Sequence, residues 1–338
     1  MVRHIRIALV GIVLVFAVGP VGGAKESGSV EAGAWEMLGQ PGTVAALGIR
    51  NLLLISDTDI WVAVRTEGVK HSIDGGRTWT KVGDFGNAAV EKIINTPVGI
   101  LMTATSGVYR LVDGAWRKSS IDTINNNGSI PTVLPNGDIL IYGSAPNGDR
   151  RAYVSSTGDT FAQVSGNTIV GLGQTMFQDS QHRLWVGTEA HGQYMSDDYG
   201  RTWRTIGPRV NGPAYGENAL GEIFYAEQAN IYRWTGGTSA TATDWPKSNS
   251  GWHDEDTVRT MLTYRQNMYL GTGTRSGIAP TPVYESTDNG TSWHPFRKDG
   301  SQPTQARVND MKVDSQGYLL LGLRDGTLWK STAPLPPD

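Results

Sequence analysis

Apolar residues recur along the chain in short runs broken by tight polar turns. The clearest copy is Met176-Phe177-Gln178-Asp179-Ser180-Gln181-His182-Arg183-Leu184-Trp185-Val186-Gly187: an apolar strand, a polar turn, then a strand ending on a small residue. Met311-Lys312-Val313-Asp314-Ser315-Gln316-Gly317-Tyr318-Leu319-Leu320-Leu321-Gly322 repeats it. Weaker copies place the matching second-strand residue at Trp61, Leu101, Ile141, Phe224 and Tyr269. The seven positions are 40, 40, 44, 39, 45 and 51 residues apart. A third strand follows each hairpin, as at Gly68 to Ser72, Gly107 to Leu111, Gln193 to Ser196 and Val283 to Ser286. A fourth, outer strand comes after it, as at Trp79 to Val82 and Trp203 to Ile206. Four short strands repeated at this period predict an all-β, seven-bladed β-propeller with four-stranded blades.

The last unit is incomplete. It reaches Thr327-Leu328-Trp329-Lys330-Ser331 and then meets Pro334, Pro336 and Pro337, which cannot continue a hydrogen-bonded strand. The stretch Gly33-Ala34-Trp35-Glu36-Met37-Leu38 carries the Trp-x-x-apolar pattern of an outer strand. Residues 34–38 are therefore expected to complete the last blade, an N-terminal strand closing the ring and removing a bare sheet edge. The propeller is expected over residues 33–332, with a Pro-rich tail at 333–338.

Composition adds the compartment. Arg3 and Arg6 precede an apolar stretch from Ile7 to Val18, and small residues end at Ala24, the pattern of a signal peptide over 1–24 with a linker at 25–32. Such a stretch is short for a membrane span, so no stable insertion is expected after cleavage. The 338-residue chain has 43 Gly, 11 Trp, 12 Tyr and no Cys, which excludes disulfides, thiolate metal sites and a Cys nucleophile. Loss of residues 1–24 takes the net charge from −3 to −5, which argues against a nucleic-acid partner. A secreted or periplasmic protein is expected.

Three hairpins share Ser-x-Asp-x-Gly-x-Thr/Ser-Trp: Ser72, Asp74, Gly76, Thr78, Trp79; Ser196, Asp198, Gly200, Thr202, Trp203; and Ser286, Asp288, Gly290, Ser292, Trp293. A degraded copy keeps Gly158, Thr160 and Phe161, with Ser156 in the place of Asp. This resembles the Asp-box, or bacterial neuraminidase repeat, found in sialidases, xyloglucan hydrolases, photosystem II assembly factors of the propeller type and sortilin-like receptors. An Asp can accept turn amides and Gly permits positive φ, so Asp74, Asp198 and Asp288 read as structural. One Asp on each remote hairpin cannot converge on a metal. No metal site and no cofactor are expected.

The resemblance implies that ligands meet the face formed by loops between second and third strands and between blades. That face collects Arg65, Arg151, Glu189, His191, Arg275 and Arg324, then Tyr215 and Glu217, and Trp252-His253-Asp254-Glu255-Asp256. Arg50, Glu91, Arg259 and Arg307 stand at the starts of innermost strands. Trp252 is expected as an exposed stacking platform, and the arginines suit an anionic ligand. The short acidic run with His253, and Glu189 with His191, lack the converging ligands of a metal site. HExxH, GxSxG and a Walker loop are absent.

These observations favour a non-catalytic module that binds a protein or carbohydrate. The alternative implied by the resemblance is a glycoside hydrolase. Arg50, Arg259 and Arg307 would then form a sialidase-like triad and Tyr215 with Glu217 the Tyr–Glu pair, although Asn51 and Leu52 follow Arg50 where that family has Ile and Pro. A propeller polysaccharide lyase would use His253 or His191 with Tyr215. The catalytic candidates are Tyr215, Glu217, His253 and Asp254. The signal reading has a direct check: the exported protein should begin at Lys25 by N-terminal sequencing, and an intact N-terminus would overturn it.

Overall fold

A computed structural model describes residues 35–41, 48–86, 88–121, 130–144, 150–164, 169, 173–188, 191–208, 214–237, 244–252, 257–274, 281–296, 303 and 306–336. The expected signal segment and linker lie outside the described residues. The first strand, β1 (Trp35–Gly39), is set apart in the chain. Blade one follows as β2 (Ile49–Leu54), β3 (Ile60–Val64), β4 (Gly68–Ser72) and β5 (Thr80–Val82). Blade two is β6 (Val90–Thr96), β7 (Gly99–Ala104), β8 (Gly107–Val112) and β9 (Ala115–Lys118). Blade three is β10 (Ile130–Val133), β11 (Ile139–Ser144), β12 (Arg150–Ser155) and β13 (Ala162–Gln163). Blade four is β14 (Gly173–Gln178), β15 (Leu184–Thr188), β16 (Gly192–Ser196) and β17 (Arg204–Gly207). Blade five has β18 (Ala214–Glu217), β19 (Ile223–Glu227) and β20 (Asn230–Arg233). Blade six is β21 (Val258–Tyr264), β22 (Asn267–Thr272), β23 (Val283–Ser286) and β24 (His294–Pro295). Blade seven is β25 (Val308–Val313), β26 (Leu319–Leu323) and β27 (Leu328–Ser331), with β1 as its outer strand.

All seven sheets are antiparallel meanders, and each innermost strand packs on the next around a closed ring. The expected closure is present. β1 pairs with β27 in the register Trp35↔Ser331, Glu36↔Lys330 and Met37↔Trp329. Blade five departs from the four-stranded plan. Its outer strand shrinks to one bridge between Tyr232 and Lys247, held by Arg233 N–H donating to Pro246 O and Ser248 N–H donating to Ile231 O. Pro246 has no N–H to extend the ladder there.

Burial follows from the stacking of blades. A second strand is flanked by strands on both edges and by blades on both faces, so β3, β15 and β26 are buried at every residue. That is why these strands read as continuous apolar runs rather than as alternation. The seven repeat positions, Trp61, Leu101, Ile141, Trp185, Phe224, Tyr269 and Leu320, are all buried second-strand residues. Among the described residues the apolar core divides into seven clusters, one at each blade interface. The C-terminal segment joins this core. Leu335 is buried, and its N–H donates to Gly317 O.

The three repeated hairpins share one bonding pattern. In blade four, Ser196 Oγ donates to Asp198 Oδ1 at 2.8 Å and accepts Gly200 N–H at 2.8 Å. Thr202 N–H donates to Asp198 Oδ1 at 2.8 Å and its hydroxyl to Oδ2 at 2.6 Å. Asp74 and Asp288 take the same partners in blades one and six. The Thr78 hydroxyl and amide, with Ser72, draw the Asp74 carboxyl down to about 2. Burial alone would raise Asp198, but Thr202 and Ser196 outweigh it and the carboxyl is lowered. The degraded hairpin is one residue shorter than the sequence alignment suggests. Ser155 Oγ accepts Gly158 N–H at 2.8 Å, so Ser155 takes the place of the hairpin serine and Ser156 does not stand in for Asp.

A chain of polar contacts joins blades seven, one and two. Asp310 Oδ2 accepts Asn51 Nδ2 at 2.6 Å and Leu52 N–H at 2.8 Å, and Asn51 Oδ1 accepts Ile93 N–H at 2.8 Å. No helix among the described residues is long and apolar enough to cross a membrane. Burial alone would raise the Asp310 carboxyl, but Lys312, Lys92, the Leu52 amide and Asn51 together hold it below the ordinary range. With a depressed folded-state pKa, its stabilisation is complete above the unfolded carboxyl pKa near ~4 and fades as pH falls through lower values. Asp310→Ala should cost about 3 kcal/mol at neutral pH by stranding buried donors. Urea melts should show that gap narrowing in acid, and a gap independent of pH would contradict the ionised role.

Candidate functional site

The starts of the innermost strands are irregular. Five carry a register shift at their second residue: Arg50, Glu91, Gln174, Arg259 and Asn309. A bulge adds one residue to a strand and re-aims a side chain. Four of these bulges lie on blades six, seven, one and two, which are consecutive around the ring. There the strand starts form the mouth of the ring, on the face of the loops between second and third strands.

Main-chain bonds sew this mouth together. Arg324 N–H donates to Arg307 O at 2.8 Å, and Gly48 N–H donates to Arg324 O at 2.8 Å. Arg307 Nε donates to Asn309 Oδ1 at 2.9 Å, and Asn309 Nδ2 donates to Ile49 O at 2.6 Å. Arg259 Nε donates to Gly273 O at 3.3 Å. A Cβ on Gly273 would fall 2.1 Å from Arg307 Cγ, so the missing side chain lets Arg307 lie beside that loop.

The charges are unevenly matched. Glu91 Oε2 accepts both Arg50 Nε, at 3.0 Å, and Arg50 Nη2, at 2.6 Å. Arg65 Nε stands 3.6 Å from Glu91 Oε1. Arg307, in contrast, has no carboxylate partner among the described residues. Burial first, then the charges of Arg259, Arg324 and Arg50, bring its guanidinium down to about 9. An arginine keeps its proton in proteins, so this depression expresses first the cost of burying the guanidinium and then that of its cationic neighbours, not a neutral side chain. Asp325 is engaged by Thr327, whose N–H and hydroxyl both donate to its Oδ1. One residue further along β6 from Glu91, burial pushes the Lys92 amine down, with Asp310 opposing and Lys312 and Arg50 adding to the effect.

Arg50, Arg259, Arg307 and Arg324 thus share one neighbourhood, with Arg65 at its edge. His191 is exposed in the turn before β16. Glu189, Arg275, His253 and Asp254 lie outside the described residues. Three expectations need correction. Trp252 is 8% exposed and packs on Tyr284 with ring centroids 4.6 Å apart, so it is a core residue between blades five and six and not a stacking platform. Tyr215 is buried, and its hydroxyl donates to Gln193 Oε1 at 2.7 Å; burial raises that hydroxyl well above its ordinary pKa. Glu217 sits at the far end of β18, on the opposite face, where it accepts Ser180 N–H at 2.7 Å and Ser180 Oγ at 2.6 Å. It clamps blade five to blade four and forms no pair with Tyr215. Among the described residues no cluster of three His, Asp or Glu side chains could hold a metal.

Asn309 and Gly273 belong to the mouth, and Lys92 and Lys312 lie further along the innermost strands; none of the four was among the expected residues. A signal for the bulges exists in the sequence. Ile49-Arg50-Asn51-Leu52, Val90-Glu91-Lys92-Ile93, Val258-Arg259-Thr260-Met261 and Val308-Asn309-Asp310-Met311 each place two polar residues between apolar ones. Strict alternation forbids that, and one extra residue restores it.

No family model and no curated protein matches the chain. Solved structures resemble it in fold. YCF48 bound to D1 peptide is 13% identical with a TM-score of 0.69, over 92% of this chain and 98% of that one. Virginiamycin B lyase from Staphylococcus aureus is 14% identical with a TM-score of 0.67, over 88% and 99%. The GH74 xyloglucanase from Xanthomonas campestris is 16% identical with a TM-score of 0.63, over 87% of this chain and 52% of that one. At these identities the likeness concerns the propeller fold alone. The burial of Trp252 has a consequence for mutagenesis: Trp252→Ala should destabilise by about 3–5 kcal/mol. Thermal melting checks this, and an unchanged midpoint would return Trp252 to the surface.

Proposed function

We propose that this chain is an extracytoplasmic, non-catalytic propeller that binds an acidic segment of a partner protein at the arginine-lined mouth of its channel. The observation that carries the reading is Arg307, half-buried beside Arg259, Arg324 and Arg50 with no carboxylate partner among the described residues. Crowded cations are stabilised by an arriving anion, and guanidinium groups suit carboxylates in particular. A binding role is also supported by the separation of Tyr215 from Glu217, which leaves the hydrolase reading without its Tyr–Glu pair. YCF48 was solved with a D1 peptide, so a propeller of this fold can present a peptide site. Carbohydrate remains the second ligand class, since the GH74 neighbour is a xyloglucanase.

Two further features support the wider assignment. The shared bonding of Asp74, Asp198 and Asp288 favours the Asp-box reading, with those residues serving the fold. The basic and apolar N-terminus favours export.

An acidic synthetic peptide should bind the purified protein, and more weakly as salt rises. Arg307→Ala should lower the affinity about tenfold or more while sparing the melting temperature. Gly273→Ala should also lower the affinity by displacing Arg307, but with a lower melting temperature, because its Cβ would fall 2.5 Å from Arg307 Cβ and 2.8 Å from its Cα. Titration calorimetry reads both effects. No binding by the wild type, or equal affinity in both variants, would overturn the proposal.

A further inference from the structure

Asp310 attracts two lysines from different blades but has room for one. Its Oδ2 accepts Asn51 Nδ2 at 2.6 Å and Leu52 N–H at 2.8 Å, and its Oδ1 accepts Met311 N–H at 2.9 Å and Lys312 Nζ at 3.3 Å. A carboxylate offers about four acceptor sites, so these four donors fill it. Lys92, on β6, acts electrostatically on Asp310, yet among the described residues it makes no hydrogen bond and no ion pair. Glu91, the other acid that acts on it, gives Oε2 to both Arg50 donors. The Lys92 amine is therefore left half-buried beside a filled carboxylate, with Lys312 and Arg50 as cationic neighbours.

We propose that Lys92 is a nucleophilic amine, set to form an imine with a small aldehyde that carries a carboxylate. This goes beyond the binding role of the mouth and does not depend on it. A nucleophilic amine needs its lone pair free, and a lysine withdrawn from water beside other cations holds its proton less tightly. Burial lowers the Lys92 amine most, Lys312 and Arg50 add to that, and Asp310 and Glu91 oppose it. The bond changes balance without a further reactant. The Nζ lone pair adds to the aldehyde carbon, and the carbonyl oxygen takes the proton that nitrogen sheds, giving a carbinolamine. That hydroxyl then leaves with the remaining N–H proton as water, and the imine is formed. Lys312 supplies the preference for an anionic substituent. Its side chain is 39% exposed, so its ammonium can meet an arriving carboxylate beside Lys92.

Glyoxylate with sodium cyanoborohydride tests this on the full chain, because hydride reduction turns each imine into a stable carboxymethyl-lysine that peptide mass mapping locates. At neutral pH, Lys92 should be labelled at least about tenfold faster than the exposed Lys81 and Lys247, since a lower pKa leaves more free amine. As pH rises, the Lys92 rate should level off before the rates of those two lysines do. Lys312→Met removes a cation and frees Asp310 Oδ1 for Lys92, so it should slow Lys92 at least about fivefold at neutral pH. Lys312→Gln serves as a second variant if Lys312→Met does not fold, with the same fall expected. Acetaldehyde has no carboxylate, and with it the ratio of Lys92 to Lys81 labelling should be smaller than with glyoxylate. Lys92→Arg should abolish the label at that position. Labelling of Lys92 no faster than that of Lys81, a Lys92 rate unmoved by loss of the Lys312 charge, or equal ratios for the two aldehydes would overturn the proposal.

Discussion

Blade seven is assembled from both ends of the described chain, and the pairing of Trp35–Gly39 with Leu328–Ser331 is the constraint on which the ring rests. Without it, β27 would present a bare edge, and the clusters that contain Leu38 and Trp35 would lose a wall. The seam is reinforced from inside. Asp310 on blade seven holds Asn51 and the Leu52 amide on blade one, and Asn51 holds the Ile93 amide on blade two. The arginines lie beside this seam, on blades six, seven and one.

The two faces of the ring divide the work. On the lower face, carboxylates are spent on structure. Asp74, Asp198 and Asp288 bind their own hairpins, while Glu217 and Asp57 reach across blade boundaries to Ser180 and Ser315. Each has short contacts with hydroxyl and amide donors, and none converges with another on an open point. On the upper face, loops and bulged strand starts bring side chains of like charge together. A fold that satisfies its turns on one side can leave Arg307, on the other, without a carboxylate partner among the described residues.

The architecture was legible because the repeat is carried by burial. Trp61, Leu101, Ile141, Trp185, Phe224, Tyr269 and Leu320 are the positions most enclosed by neighbouring strands and blades, and chemistry at such positions must be apolar. Blade five escaped because its outer strand is a single bridge beside Pro246, with no alternating pattern to read. The site was legible only in part. Arg50, Arg259 and Arg307 could be placed together from their common position at strand starts. Trp252 could not be placed correctly: an indole beside a polar loop reads as exposed, whereas it is the packing of blade five on blade six that buries it. Tyr215 and Glu217 are two residues apart, hence on the same side of a strand, yet the length of β18 carries them toward opposite faces of the ring.

Whether the arginine cluster is a site or merely a surface turns on how this chain treats its other cations. Arg110 is held by Asp159, with Nη2 2.7 Å from Oδ1 and 2.6 Å from Oδ2. Arg183 donates to the buried Asp179 at 2.6 Å while lying over Trp185 and Trp234. Lys330 meets Asp314 at 2.7 Å, and Lys70 meets Glu67 at 2.7 Å. At these four positions folding pairs a cation with an acid. Arg307 departs from that practice: its Nε meets only the neutral amide of Asn309, and its charged neighbours are three more arginines. A local arrangement that opposes stability, in a chain that pairs Arg110, Arg183, Lys330 and Lys70 with acids, is what a binding site requires, because the missing anion has to come from the ligand.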